Sequence, residues 1–211
     1  SFPMGENASG MFRGCTALNL PICTFGNKLT DVNMMFQECT IFSQDVSGID
    51  MSSVLNMSSM FADCPNFNQD ISGWDTSSVV NMSALFQRAT AFNQNIGTWN
   101  VSKVTSFSNT FNAATSFNGD ITLWDTTSLT NTNSMFEDAT AFNQDISDWE
   151  FSNVTYAADM YRNATSLTPT FAAVPGKAKG VKAFIIHLSN QFVGISMNNQ
   201  FKVYQPYSAS I

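Results

Sequence analysis

The chain has 211 residues, of which 44% are apolar, 13% aromatic and only 12% charged, and its formal net charge is −7. This composition is too apolar and aromatic for a disordered chain, and the acidic excess argues against nucleic-acid binding. No run approaches the ~18 apolar residues of a membrane-spanning helix. One His and four Cys disfavour a His/Cys metal site. We therefore expect no cofactor, no nucleic-acid partner and no transmembrane segment.

The chain begins at Ser1, without an initiator Met or a signal-like segment, so we expect a processed protein or a fragment. From about residue 11 to 168 a 25-residue repeat dominates the sequence. Apolar residues return at fixed positions of each copy, and one copy carries them as Phe61, Phe67, Ile71, Trp74 and Val79. Their spacing of three to five residues fits neither a long amphipathic helix nor an alternating strand. Each copy is interpreted as a coil that turns sharply several times.

One such coil cannot bury its own apolar side chains, whereas stacked copies can cover one another. The repeat therefore predicts a solenoid of about six coils over residues 1–168, in which equivalent Phe and Trp rings stack. We expect one short parallel strand per coil at the F-N-Q-D-I-S segment, such as 67–72, with neighbouring coils about 4.8 Å apart. A short helical or 3₁₀ turn is expected on the opposite side, for example over 79–86.

The motifs F-N-Q-D-I-S-x-W and V-x-N-M-x-x-M-F in these copies resemble the BspA-like leucine-rich-repeat surface proteins. The resemblance covers about 160 of the 211 residues. It implies a leucine-rich-repeat-like solenoid in an extracellular, secreted or cell-surface protein that acts in adhesion or protein interaction. It also implies that the repeat contains no catalytic residues. Residues 169–211 have no counterpart in the motif.

Amide side chains form two columns, and these are the candidate binding residues: Asn68, Gln69, Asn93, Gln94, Asn118, Asn143 and Gln144. Gly119 interrupts the Gln column. Such ladders stabilise stacked strands through repeated side-chain hydrogen bonds. Their exposed members are also able to line a polar surface that holds a protein or a glycan. The two roles are compatible, and the structural one is the safer expectation.

Two further columns are mainly acidic. One contains Asp45, Asp70, Asn95, Asp120 and Asp145, and the other contains Asp50, Asp75, Asn100, Asp125 and Glu150. Stacked carboxylates are weak candidates for a Ca²⁺ site, because Ca²⁺ takes several oxygen ligands. The favoured alternative is that each Asp accepts backbone N–H groups in a turn.

The four cysteines all lie in the first third of the chain. Cys15, Cys39 and Cys64 share a column that continues as Ala, which predicts a tight buried slot with free thiols. A bridge to Cys23 stays open. His187 has no acidic residue near it in the tail, so a Ser–His–Asp triad is not expected and His187 is interpreted as a strand residue.

Six Asn-x-Ser/Thr sequences are candidate glycosylation sites if the protein is secreted from a eukaryotic cell. They are Asn7, Asn56, Asn81, Asn100, Asn153 and Asn163. Because Asn, Ser and Thr are abundant in the repeat, such matches also arise freely.

The tail differs from the repeats in charge and pattern. Residues 1–166 carry sixteen acidic and five basic residues, net −11, whereas residues 167–211 carry four Lys and no acid, net +4. A domain boundary is expected at Pro169 and Pro175-Gly176, followed by strands over 183–188, 192–197 and 201–204. These strands would form a β-rich cap on the solenoid. Alternatively, the basic tail attracts the acidic body of another copy, which would give self-association.

The sequence thus favours a non-enzymatic extracellular or cell-surface repeat protein for adhesion or protein interaction. The alternative is a structural subunit of a surface filament, appendage sheath or virion exterior. A hydrolase is the weakest hypothesis, because no paired acids stand outside the repeating columns.

Overall fold

The structure is a computed structural model that describes residues 7–22, 25 and 28–168 and three strands of the tail. These strands are β1 (Phe184–Leu188), β2 (Phe192–Met197) and β3 (Gln200–Lys202). They form one antiparallel sheet in the order β1-β2-β3, with Ile186 opposite Gly194 in the first pair. The three predicted strands are confirmed, with ends shifted by one or two residues. Cys23 and the boundary expected at Pro169 and Pro175-Gly176 lie outside the described residues.

Consecutive copies of the repeat lie side by side. Six isolated parallel bridges connect equivalent residues of successive copies, namely Asn7, Asp31, Asn56, Asn81, Ser106, Asn131 and Tyr156. Backbone hydrogen bonds continue the pairing one residue earlier, where Val80 N–H donates to the Leu55 carbonyl at 2.9 Å and Thr105 N–H donates to Val80 at 3.0 Å. The backbone is therefore in register between copies at this position.

The predicted strand position is wrong. Residues 67–72 form no strand, and the parallel pairing described above lies instead at the Asn of the V-x-N-M motif. The reason is visible in the hydrogen bonds of the F-N-Q-D segment. There the backbone N–H of Asn93 donates to the side-chain Oδ1 of Asn68 at 2.9 Å, so a side chain bridges the copies where a backbone carbonyl would complete a ladder.

The predicted helical turn is also absent, since residues 7–22, 25 and 28–168 contain no α- or 3₁₀-helix. Residues 83–88 form successive turns in which the N–H groups use two kinds of partner. Leu85 N–H donates to Met82, three residues back, at 3.2 Å, whereas Ala84 N–H donates to Ser108 of the next copy at 2.7 Å. Ala84 has a φ of 55°, outside the right-handed helical region, so the chain does not continue as a helix there. Bonding between copies thus replaces helical bonding.

The expected stacking of aromatic rings is confirmed. Phe61 and Phe86 stack at a centroid distance of 6.0 Å, Phe67 and Phe92 at 6.1 Å, and Trp74 and Trp99 at 6.2 Å. Within one copy, Phe61 and Phe67 stack at 3.9 Å. These rings are buried and form one continuous core through the repeats.

The buried Trp residues also satisfy their polar group. Each indole N–H donates to a backbone carbonyl of the preceding copy, as Trp99 does to Ile71 at 3.0 Å. Because an unpaired buried N–H is costly, this bond fixes the ring direction as well as the stacking.

Candidate functional site

The amide columns join the copies and reach the surface. Asn93 N–H donates to Asn68, Asn118 N–H donates to Asn93 and Asn143 N–H donates to Asn118, all through the side-chain Oδ1 and at 2.8–2.9 Å. Gln94 adds a bond from its Nε2 to the Asn68 carbonyl at 2.9 Å. The ladder expected from the sequence is therefore present.

The ladder does not consume every polar group of its members. Asn68, Asn93 and Asn118 are exposed, and no hydrogen bond within the described part of the chain uses their Nδ2 groups. In contrast, Gln69 and Gln144 use their Nε2 groups, which donate to the Ser43 and Asn118 carbonyls at 2.8 Å. The face thus presents amide groups to solvent once per copy, in addition to its role between copies.

The acidic columns cap turns. The side-chain Oδ1 of Asp45, Asp70, Asp120 and Asp145 accepts the backbone N–H two residues later at 2.8–3.1 Å. Residues of the second column do the same, as Asp75 does with Ser77 at 3.0 Å. The bond from the Ser72 backbone N–H lowers the pKa of Asp70 below its ordinary value. This turn chemistry gives the carboxylates a structural role.

No group of three or more His, Cys, Asp or Glu residues within the described ranges is arranged to hold a metal ion. The weak Ca²⁺ candidates Asp45, Asp70, Asp120 and Asp145 each cap a turn. No helix of the described residues is long and apolar enough to cross a membrane.

An open cleft lies on the surface where three successive copies meet. It has a volume of about 400 Å³ and is lined by Ser72, Asn95, Gly97, Thr98, Asp120 and Leu123. Asn95 departs from its column, because its Oδ1 accepts the backbone N–H of Asp120 in the next copy at 2.6 Å. Leu123 is 86% exposed at the edge of the cleft.

Sequence reasoning missed this cleft, although its signal was present. Asn95 and Gly119 depart from otherwise regular columns of Asp and Gln. Gly97 stands where other copies carry Ser or Thr, as at Ser72 and Thr122. Departures from the repeat that gather in one place are the signal that would have located it.

The buried slot predicted for the cysteine column is confirmed at Cys39 and Cys64 and is wrong for Cys15, which is exposed at the start of the repeats. Cys39 and Cys64 are buried and free, and their Sγ atoms donate to the Phe12 and Phe36 carbonyls at 3.0 and 2.9 Å. Burial raises the pKa of Cys39 to about 11 and that of Cys64 to about 12. Both are therefore neutral packing residues at physiological pH.

The candidate glycosylation sites differ in environment. Asn56 and Asn81 are half-buried at the parallel bridges. Asn153 and Asn163 are exposed, but their Nδ2 groups donate to Thr127 and Asp138 at 2.9 and 2.7 Å. Asn7 and Asn100 are exposed and use only their Oδ1 within the described chain, as acceptors from residues two positions later. These two are the most accessible of the six candidates.

His187 lies in β1, as predicted. The Lys residues of the predicted basic tail lie outside the described residues, except Lys202 at the end of β3. The amide columns, the acidic columns and the cleft all lie within the repeats.

One protein-family model matches the chain over residues 6–107 and again over 64–173. That family, DUF285, is described as a Mycoplasma protein of unknown function. No curated protein and no solved structure matches the chain. Because the two matches together span most of the sequence, the chain belongs to the DUF285 family.

Proposed function

We propose that the chain is a non-enzymatic extracellular or cell-surface repeat protein that acts in adhesion or protein interaction. In this proposal the repeats form a leucine-rich-repeat-like solenoid of the BspA-like kind, and the polar face carries the ligand. The observation that supports it is the amide ladder. It holds exposed Asn and half-buried Gln side chains in fixed positions, so a ligand would meet a rigid row of donors and acceptors.

Rigidity matters because binding costs conformational entropy. A free Gln loses about 1.5–2 kcal/mol of side-chain entropy when it is immobilised. Gln94 and Gln144 are already held by their Nε2 bonds to the preceding copy, so most of that cost is met on folding. Repetition adds avidity, because one extended ligand can contact several copies.

The carboxylates favour binding over catalysis. Catalytic acids need a pKa near the working pH, which burial or like-charge neighbours provide. The carboxylates of the two acidic columns instead accept hydrogen bonds in turns, and those bonds lower the pKa of Asp45, Asp50, Asp70 and Asp75. Such groups stay ionised at neutral pH and are poor proton donors.

Adhesion and surface location are tested with intact cells. An antibody against the repeats should label unpermeabilised cells that carry the gene, and external protease should remove the label. Beads coated with the protein should then adhere to host-cell monolayers. The double variant Asn68→Asp, Asn93→Asp keeps the Oδ1 acceptors of the ladder and replaces the unused Nδ2 donors, so it should adhere less at an unchanged melting temperature. The matched control is Asn100→Asp, an exposed Asn outside the amide columns that also accepts through its Oδ1. Labelling only after permeabilisation, or equal adhesion by all proteins, contradicts the proposal.

A second candidate function is a structural subunit of a surface assembly. It is favoured by the charge split between the acidic residues 1–166, net −11, and the basic residues 167–211, net +4. Protein chains that associate through this attraction should form oligomers whose size increases with protein concentration. Added salt should dissociate them, because it screens the charges. A monomer at all concentrations in low salt would rule the assembly out.

A further inference from the structure

Residues 94–98 and 119–123 of neighbouring copies form a junction that departs from the repeat in several ways at once. Asn95 replaces the Asp of its column, Gly97 replaces a Ser or Thr, and Gly119 replaces a Gln. Stacking explains the repeated residues, since each copy needs the same contacts. It does not explain three departures in two adjacent copies, of which Asn95 and Gly97 line one cleft.

The two glycines let the copies approach closely at this junction. A Cβ atom on Gly119 would lie 2.2 Å from the Gln94 carbonyl oxygen, and one on Gly97 would lie 3.0 Å from that of Asp120. Gly48 and Gly73, which hold the repeat position of Leu123, have nothing within 4 Å of such a Cβ atom. The two glycines of the junction thus lie against the backbone of a neighbouring copy, whereas Gly48 and Gly73 do not.

The core behind the cleft is irregular as well. Trp rings stack between copies at Trp74–Trp99 and at Trp124–Trp149, with centroids 6.2 and 5.8 Å apart. Within the described residues no such contact joins Trp99 to Trp124, and Phe107 instead stacks on Trp124 at 5.1 Å. The junction thus differs from the other copies from the core to the surface.

The groups that line the cleft suit a ligand rich in hydroxyl groups. One carboxylate oxygen of Asp120 caps the turn at Thr122, and no hydrogen bond within the described chain uses the other. The Nδ2 group of Asn95 is likewise unused there, because Asn95 bonds through its Oδ1. A carboxylate acceptor beside an amide donor matches a pair of neighbouring hydroxyls, since each hydroxyl both donates and accepts.

Leu123 supplies the apolar part of the surface. It is 86% exposed, and no packing need within the described chain accounts for it. An exposed Leu beside polar groups covers the C–H face of a sugar ring, and a cleft of about 400 Å³ is within the usual range for small-molecule sites.

We propose that this cleft binds a neutral saccharide unit. Asp120 and Asn95 hold two neighbouring hydroxyls and Leu123 packs against the ring. This inference deepens the proposed function and rests on it, by naming a ligand class and a site. The acidic columns exclude anionic sugars, because Asp70 and Asp145 flank the junction in the same column as Asp120 and repel a carboxylate ligand.

The test is a binding screen by saturation-transfer NMR and calorimetry on the full chain. The probes are neutral methyl pyranosides and neutral disaccharides, each paired with its uronic acid counterpart. We expect saturable binding of at least one neutral probe, and at least tenfold weaker binding of its uronic acid.

Four variants locate the site. Leu123→Ala and Asp120→Asn should each weaken binding about tenfold without lowering the melting temperature. Asn100 caps its turn at Ser102 in the same way, which shows that Asn serves in such a position. The controls are Leu55→Ala, an exposed Leu of a regular copy, and Asp45→Asn, a turn-capping Asp away from the cleft. Both should bind like the unchanged protein.

Three results overturn the proposal: no neutral probe binds, the uronic acid binds as tightly as its neutral counterpart, or the cleft variants bind as well as the controls do. The proposed function is judged separately by surface labelling and bead adhesion. Adhesion without saccharide binding ends this inference alone, and saccharide binding without surface labelling or adhesion ends the proposed function alone.

Discussion

A copy that follows the repeat consensus differs from the junction at 94–98 and 119–123 in how far stacking explains its residues. In the copy that starts at Met60, Phe61 stacks on Phe86 of the next copy, Asp63 N–H donates to the Gln87 carbonyl, and Asn68 accepts the backbone N–H of Asn93. At the junction, Gly119 removes a Gln from the ladder and Gly97 removes a hydroxyl, while Leu123 places an apolar side chain at a position where the earlier copies carry Gly48, Gly73 and Thr98. The regular copy is explained by stability alone, and the junction is not. In a repeat protein, the places that break the pattern are therefore where function is best sought.

The largest effect is expected in the regular core. Phe86 is fully buried and stacks on Phe61, Phe92 and Phe111 at 6.0, 3.8 and 5.8 Å. Phe86→Ala leaves a cavity in this column and should lower the free energy of unfolding by about 3–5 kcal/mol. Urea denaturation measures the change. Leu123→Ala is the contrasting variant, and a loss of stability there approaching that of Phe86→Ala would contradict the distinction between core and junction surface.

The close approach at the junction gives the next effect. Gly119→Ala places a Cβ atom against the Gln94 carbonyl, which is backbone and cannot rotate away, so it should cost about 1–3 kcal/mol. Gly73→Ala meets nothing within 4 Å and should be neutral or stabilise by about 0.4–1 kcal/mol. Thermal and urea unfolding of both variants decide the point. Equal stabilities would mean that the copies at the junction are not held closer together than elsewhere.

Some of this architecture could be predicted from the sequence and some could not. Stacked Phe and Trp columns follow from the fixed 25-residue step, because the apolar residues of one copy are buried only when the equivalent residues of the next copy cover them. The strand was assigned to 67–72 because the segment looks extended, but Asn68 offers its side chain to the next copy and displaces the backbone ladder. The turns at 83–88 were missed because positive φ at Ala84 is not encoded by Gly or Asn. The consensus of the repeat does not predict the cleft, because Asn95 and Gly97 in its lining depart from that consensus.

The buried Cys64 thiol should make the free energy of unfolding depend on pH in the alkaline range. Burial raises the pKa of Cys64 to about 12 from an ordinary value of 9.0. Between these values the unfolded chain has lost the proton and the folded chain has kept it. Stability from Cys64 is therefore intact below pH 9 and falls as the pH rises, by about 1.4 kcal/mol per pH unit.

Cys64→Ala should make the alkaline loss smaller, and the part due to Cys39, whose pKa is also raised by burial, should remain. Ala is tolerated in this slot, since Ala89 and Ala114 occupy it in later copies. Urea unfolding at pH 7 and pH 10 measures the slope. Cys15→Ala is the control, since Cys15 is exposed. An unchanged slope in Cys64→Ala would assign the alkaline loss to other groups.

The smallest effect tests the strained turns of the regular copies. Ala84 has a φ of 55°, whereas the first copy places Gly10 and Gly14 in such conformations, at 63° and 70°. The left-handed region costs an L-residue roughly 1–2 kcal/mol, and Gly adds about 0.4–1 kcal/mol of backbone entropy to the unfolded chain. Ala84→Gly should therefore stabilise the protein by about 0.5 kcal/mol.

Ala89→Gly is the matched variant, since Ala89 is buried and has no positive φ. It loses a packed methyl group as well as backbone restriction, and should destabilise by about 1 kcal/mol. Urea midpoints of the two variants should move in opposite directions. Parallel loss in both would mean that the φ at Ala84 carries no strain, and that the regular copies hold their turns at no conformational cost.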